Sequence, residues 1–267
     1  MKIQGFDFTI GADPEIFMSQ NGKFVSAHDA IPGTKMEPYR VNNGAVQIDG
    51  MALEFNIDPA EDLDQFHKNL DMVQEQLRTM LPENCDFISE STVIFDRDFY
   101  ETVPKKAKIL GCDPDYNAYT MDVNAKPAQD MLMRTAGGHV HIGGIPSIYP
   151  EDPEHMEVSG RLSRILDETV GIYSILWDKD DLRRSMYGKA GSFRPKTYGM
   201  EYRSLSNAWI FNKNLVSFVF NGVVEAIEKF FDRSYTPHQD CCKIIDYSMR
   251  DHSLLNNATG KMVRSMI

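Results

Sequence analysis

DGMALEFN (residues 49–56) sets Leu53 and Phe55, both apolar, in alternation with the polar Glu54 and Asn56. Period-two alternation marks a strand with one face against a core and the other open. The same grammar recurs in GADPEIF (11–17), GGHVHIGG (137–144) and YGMEYRSL (198–205), which carry the pairs Asp13/Glu15, His139/His141 and Glu201/Arg203. Residues two apart in an extended strand project to one side of the sheet. The expectation is a sheet with apolar residues such as Val140 and Ile142 toward helices, and carboxylates, imidazoles and an arginine on its other face.

The helices that would cover the apolar face are also legible. Leu63, Phe66, Leu70, Val73, Leu77 and Met80 form one stripe at spacings of three and four, predicting a helix over 60–81. Similar stripes predict helices over 153–177 and 212–231, and a last one over about 239–256. Strands and helices do not alternate as a doubly wound parallel sheet requires. The reading is therefore a single α+β domain over 1–267: a mainly antiparallel, curved sheet with helices packed on its outer face. The stretches 102–127 and 145–153 read as loops long enough to contact substrate.

Composition narrows the function. A net charge of −11 over 267 residues excludes a general nucleic-acid binder, which needs a broad basic surface. No apolar run approaches the roughly 20 residues that span a bilayer, and the N-terminus lacks a signal-peptide pattern. Cys85, Cys112, Cys241 and Cys242 show no zinc-type spacing, so they read as free thiols in a reducing, cytoplasmic compartment. Nothing in the sequence speaks to oligomeric state.

One polar pair on a strand says little, because a solvated face is polar anyway. Four pairs say more, since solvation alone would favour Lys, Thr, Ser and Gln. Here the residues are Asp13, Glu15, Glu54, Glu201, His139 and His141, which bind hard or borderline cations. Clustered carboxylates repel one another, and divalent cations remove that cost. A mostly oxygen donor set favours Mg²⁺ or Mn²⁺ over structural zinc, with either histidine able to complete it.

The second feature is LRRSMYGKAGSFRPKTYGM (182–200), which carries Arg183, Arg184, Lys189, Arg194 and Lys196 and no acid. Its glycines suggest a mobile loop, and its charge suggests phosphate or carboxylate binding. No GxxxxGKS/T, GxGxxG or kinase signature occurs, so a nucleotide would depend on this stretch and on the metals.

Taken in order, GADPEIF, DGMALEFN, GGHVHIGG and RRSMYGKAGSFR with YGMEYRSLSN resemble the carboxylate–amine ligase superfamily. That superfamily includes glutamine synthetase and glutamate–cysteine ligase, and the likeness is greatest to its phage-encoded amidoligase-type members. The resemblance runs from about Ile10 to Asn207. It implies a funnel-shaped antiparallel sheet like the glutamine synthetase catalytic domain. ATP would enter one end and a small-molecule or peptide carboxylate the other, with Mg²⁺ or Mn²⁺ between them. An acyl phosphate would form and an amine would then displace phosphate. By motif, Asp13, Glu15, Glu54, Glu201 and His139 or His141 resemble the metal ligands, and Arg203 the arginine that stabilises the transferred phosphoryl group. The catalytic set is then Arg203, Arg184 and Glu201. The nucleotide would meet Arg183, Arg184, Lys189, Arg194 and Arg203. A phage-encoded member would work in the host cytoplasm. Departures are Asp13 where a glutamate is common, Pro14 between the first two acids, and Asp49 as the only neighbour for Glu54. Two other readings compete: a metal-dependent amidase, indifferent to ATP, and a non-catalytic binding protein that keeps the fold.

Overall fold

The structure is a computed structural model that describes residues 1–109, 115–125 and 131–267. Its decisive local event is at Pro14. Proline has no N–H to give to a ladder, and the first strand run stops there, leaving β1 (Thr9–Ala12) and β2 (Glu15–Gln20). The two strands then join different sheets. The Asp13–Pro14–Glu15 bend is held from both sides. Asp13 N–H donates to the His139 carbonyl (3.3 Å) and Glu15 N–H to the Gly137 carbonyl (2.9 Å), while the Pro14 carbonyl accepts from Phe55 N–H (3.1 Å).

On one side of the bend lies a sheet containing β3 (Gly44–Asp49) and β4 (Ala52–Ile57), in the order Lys23–Val25, β2, β4, β3, Tyr39–Val41, with Cys85–Ile88 also on β2. On the other lies a five-stranded sheet with β5 (Val140–Gly143), β6 (Ser192–Lys196) and β7 (Gly199–Tyr202), in the order Tyr116–Asn117, β6, β7, β5, β1. The ladders within both sheets are antiparallel. The single curved sheet expected from sequence is thus divided between two main sheets, and the segment that carries Asp13 and Glu15, whose pairing Pro14 was expected to disturb, passes between them.

The helices cover the apolar faces. α1 (Leu63–Met80) starts at Asp62, whose side chain accepts from Gln65 N–H, and buries Phe66, Leu70, Val73 and Leu77. Phe66 stacks on Trp209 at 6.1 Å. Truncating such a buried aromatic costs about 3–5 kcal/mol, so Phe66→Ala is the single change that would most loosen this layer. α2 (Pro153–Leu166) begins with Asp152 as cap and proline in its first turn, which needs no N–H there. It runs into a π-helical turn, Asp167–Gly171, and then α3 (Ile172–Trp177). α2 packs on β6 and β7, and against α5 (Lys213–Phe231), which follows the short α4 (Asp181–Met186).

Two expectations are corrected here. The last helix is not continuous over 239–256: helix covers Cys241–Asp246, Ser248 takes a left-handed φ of 50°, and a separate helix occupies Ala258–Arg264. A serine in that region of φ interrupts helical propagation. The basic stretch 182–200 is not a loop, since α4 and β6 account for most of it. Within 102–127 a short helix covers Lys105–Lys108 and a strand Tyr116–Asn117; positions 110–114, with Cys112, and 126–127 lie outside the described residues. Cys85, Cys241 and Cys242 are free thiols. Among the described residues no helix is long and apolar enough to cross a membrane.

Candidate active site

The register of the five-stranded sheet aligns one polar row. His141 lies opposite Glu201, and Glu201 opposite Arg194. Alternation adds Lys196 and, just beyond the ends of β5 and β7, His139 and Arg203. The backbone leading into β5 allows little else: a side chain at Gly138 would collide with the Ser206 carbonyl. Trp209 Nε1–H donates to the Gly138 carbonyl at 3.0 Å and fixes this entry.

Glu201 is the centre of the row and is fully buried. Its Oε1 takes a short charge-assisted bond from Arg203 Nη1 and lies 3.4 Å from His139 Nδ1. Its Oε2 lies 3.3 Å from Arg194 Nη1 and 3.0 Å from Lys196 Nζ. Burial by itself would push this carboxyl upward in pKa. The Arg203 guanidinium, then His141, His139 and Arg194, overcome that and hold it well below the carboxylate range.

Asp13 stands at the bend between the sheets, 3.0 Å from His141 Nε2 and 3.4 Å from His139 Nδ1. Its pKa is depressed: the burial penalty is outweighed chiefly by the His141 charge. His139 is pushed down to about 4 by burial and then by Arg203, so its imidazole is neutral at pH 7. His141 moves up, because Asp13 more than offsets its burial.

A second row crosses the other sheet, where Glu15 lies opposite Glu54 and Glu54 opposite Gln47. Glu15 Oε2 accepts from Gly137 N–H (2.9 Å) and Glu54 Oε2 from Gln47 Nε2 (2.8 Å). Asp49, two residues past Gln47, adds a third negative charge. Burial first, then Asp49, raises Glu15 to about 7 despite Arg203. Burial, with Asp13 and then Asp49, raises Glu54 well above its ordinary value.

The structure thus brings Asp13, His139, His141, Glu201, Arg203 and Arg194 into direct contact, with Glu15 and Glu54 adjoining them. Arg183 and Arg184, expected to meet the nucleotide, are both buried. Arg183 is buried in α4, donating to the carbonyls of Ala136 (3.1 Å), Ser204 (3.4 Å) and Leu205 (2.9 Å), so it braces the entries to both site strands. Arg184 is buried against Asp178, its Nη2 bonding the Asp178 carbonyl at 3.1 Å and carboxylate at 3.3 Å, while its Nε and Nη1 make no hydrogen bond among the described residues. Lys189 is exposed and acts on Asp246, away from Glu201. Two tyrosines were not foreseen. Tyr198 gives a short bond to His141 Nδ1 and stacks on its ring at 5.9 Å, and the Tyr187 hydroxyl accepts from Arg203 Nη2. Both come from turns flanking β6, where strand alternation gives no signal. Gln47 obeys that alternation and could have been found by it, as Asp49 was.

The donor set fits a divalent cation. Asp13, His141 and Glu201 can each offer one ligand atom, all within 4.8 Å of one another. Asp13 Oδ1, His141 Nε2 and His139 Nε2 are buried without a hydrogen bond among the described residues. Asp13 Oδ1 and His141 Nε2 converge to 3.0 Å, and a carboxylate and an imidazole brought this close can share a cation.

Fold and site together define an antiparallel α/β protein with a buried acid–histidine–arginine cluster at the junction of two sheets. Residues 128–266 match the family described as phage phiEco32-like COOH–NH2 ligase-type 2; the match takes in more than half of the chain, which belongs to that family. A crystal structure of a bifunctional glutathione synthetase from Pasteurella multocida is similar at 13% identity and a TM-score of 0.40, over 97% of this chain and 46% of that one. The chain therefore spans about half the length of that protein. No curated protein matches.

Proposed function

We propose that the chain is an ATP-dependent carboxylate–amine ligase that forms an amide through an acyl phosphate, with Mg²⁺ or Mn²⁺. Membership of the COOH–NH2 ligase family supports the reaction class. The observation that carries the site assignment is Glu201, buried beneath Arg203, Arg194 and Lys196 and beside the unbonded Asp13 and His141 atoms. Phosphoryl transfer is governed by positioning and charge neutralisation, and this cluster has the equipment for both.

In this reading the two sheets form the walls of a funnel. Glu201 holds Arg203, Arg194 and Lys196 pointed at one place, so their charges meet the γ-phosphoryl group without reorganising. Arg203 supplies the forked donor that suits a phosphoryl group. Asp13, His141 or His139, and Glu201 would hold one cation, and Glu15 and Glu54, with no arginine or lysine bonded to them among the described residues, would provide oxygen donors for another. A bound divalent cation would neutralise phosphate oxygens during transfer.

The test is ADP release from the purified chain with ATP and Mg²⁺ or Mn²⁺, screened against amino acids, peptides and polyamines. The ligase predicts release that requires a carboxylate and an amine together. Amide hydrolysis indifferent to ATP would replace it with the amidase, and metal or ATP binding without turnover would leave a binding protein.

A further inference from the structure

On the helical side of the five-stranded sheet, away from Glu201, α2 and the segment after α5 enclose a cavity of about 520 Å³. That size suits a small-molecule site. Its lining includes Arg161, Arg164, Arg233, His238, Tyr119 and Tyr235, and no acid among the described residues. In a chain with a net charge of −11 this local excess is unusual.

Two of the arginines are braced by backbone carbonyls. Arg161 donates to the carbonyls of Phe230, Asp232 (2.9 Å) and Tyr235 (3.4 Å), and its guanidinium lies 4.8 Å from the Phe230 ring centre. Arg164 Nη1 donates to the Ala118 carbonyl at 2.5 Å. Carbonyls orient a guanidinium but carry no net charge. Arg233 is exposed and makes no hydrogen bond among the described residues, and none of the three arginines has an ion pair there. Nearby acids are engaged elsewhere. Asp232, though it feels Arg161, accepts from Ser234 N–H and O–H, and Glu168 accepts from Tyr235 O–H and His238 N–H and sits 3.5 Å from Lys229 Nζ. A plain structural brace accounts for Arg161 and for one donor of Arg164. It leaves unexplained why Arg164 and Arg233 face the same space with donors to spare, since a guanidinium has five. A recess lined by one sign of charge concentrates counter-ions.

We propose that this cavity is a second ligand site, which binds a small molecule carrying two or more negative charges on phosphate or carboxylate groups, gripped by Arg164 and Arg233 between the rings of Tyr119 and Tyr235. It is separate from the Glu201 cluster: Tyr119 O–H bonds Asp167 (2.8 Å), which bonds Tyr202 (2.6 Å), and Tyr202 faces the helices while Glu201 faces the opposite way.

Isothermal titration of the whole chain with tripolyphosphate and with citrate, without ATP or metal, tests the proposal. Saturable binding of either is expected, and which one binds more tightly tells phosphate from carboxylate. Arg233→Gln should fold normally, because it breaks no hydrogen bond among the described residues, and should weaken that binding by roughly tenfold, the worth of one charged hydrogen bond. Adding Arg164→Gln should abolish it, whereas Arg194→Gln with Lys196→Gln on the other face should leave it intact. The proposal fails if neither anion binds the wild-type chain, or if binding survives Arg233→Gln unchanged and disappears with the Arg194 and Lys196 changes.

Discussion

Glu201, fully buried, and Glu15, half-buried, lie on neighbouring sheets, and their environments treat them in opposite ways. Arginine, lysine and histidine from the adjacent strands and chain ends surround Glu201 and keep it charged. Glu15 faces Glu54 across the ladder and feels Asp49 and Asp13, against the opposing influence of Arg203. The identity of a carboxylate therefore says little about its charge state. The residues placed opposite it by register decide whether it anchors cations already in the protein or needs one from outside.

The comparison can be broken most forcefully at its charged centre. Glu201→Gln leaves Arg203, Arg194 and Lys196 without their common anion, and breaking a buried pair of this type costs about 3–5 kcal/mol. Urea unfolding measures it; a midpoint within error of wild type would show that the cation ring does not depend on Glu201.

Arg203→Lys keeps the charge and loses the fork. It should lower kcat by about 10²-fold or more, as removal of a transition-state charge donor does. A role in phosphoryl transfer alone would leave stability unchanged. The structure changes that expectation, because Lys cannot reach Glu201, His139 and Tyr187 together, and the variant should also melt earlier. ADP release well below the melting point separates the effects, and normal turnover there would confine Arg203 to a structural role.

Glu15→Gln should act in the opposite sense. Between the ordinary value of 4.5 and about 7, folded Glu15 holds a proton that the unfolded chain has released. The folded state binds more protons, so the stability of the cation-free protein falls as pH rises through that window. With chelator present, Glu15→Gln should be more stable than wild type at pH 8 by on the order of 2–3 kcal/mol, and equal to it near pH 4. Mg²⁺ should raise wild-type stability and narrow the gap. A variant less stable at pH 8 would show that Glu15 is not the uncompensated acid described here.

The smallest effect belongs to Tyr198→Phe, which keeps the ring on His141 and removes the hydroxyl from Nδ1. The expected loss is about 1 kcal/mol, the net worth of one hydrogen bond. An unchanged melting curve would mean that stacking alone holds the imidazole.

The strands of both rows were legible because alternation survives in each: Leu53 and Phe55 are buried, Glu54 and Asn56 are not. The stripe of α1 was legible for the same reason at helical spacing. Alternation could not reveal that a proline passes the chain from one sheet to another, since Asp13 and Glu15 keep the right spacing on either side of the break. It also could not place Arg183. A basic residue beside glycines reads as a solvated loop until three backbone carbonyls converge on it from distant parts of the chain. Tyr187 and Tyr198 came from turns, whose side-chain directions follow no period.

The π-helical turn between α2 and α3 works as a phase slip. Ile172 N–H reaches back five residues to the Asp167 carbonyl, so the helix holds one residue more than α geometry uses. The residues before and after it can therefore be set at different angles around one axis, like the two scales of a vernier. The slip lets Asp167 meet Tyr119 and Tyr202, while Gly171 leaves the space that the Tyr202 hydroxyl occupies. Deleting one residue here would heal the helix and turn α3 by about 100° relative to α2. Tyr202 would lose its tether, and with it the strand whose next residues on either side are Glu201 and Arg203.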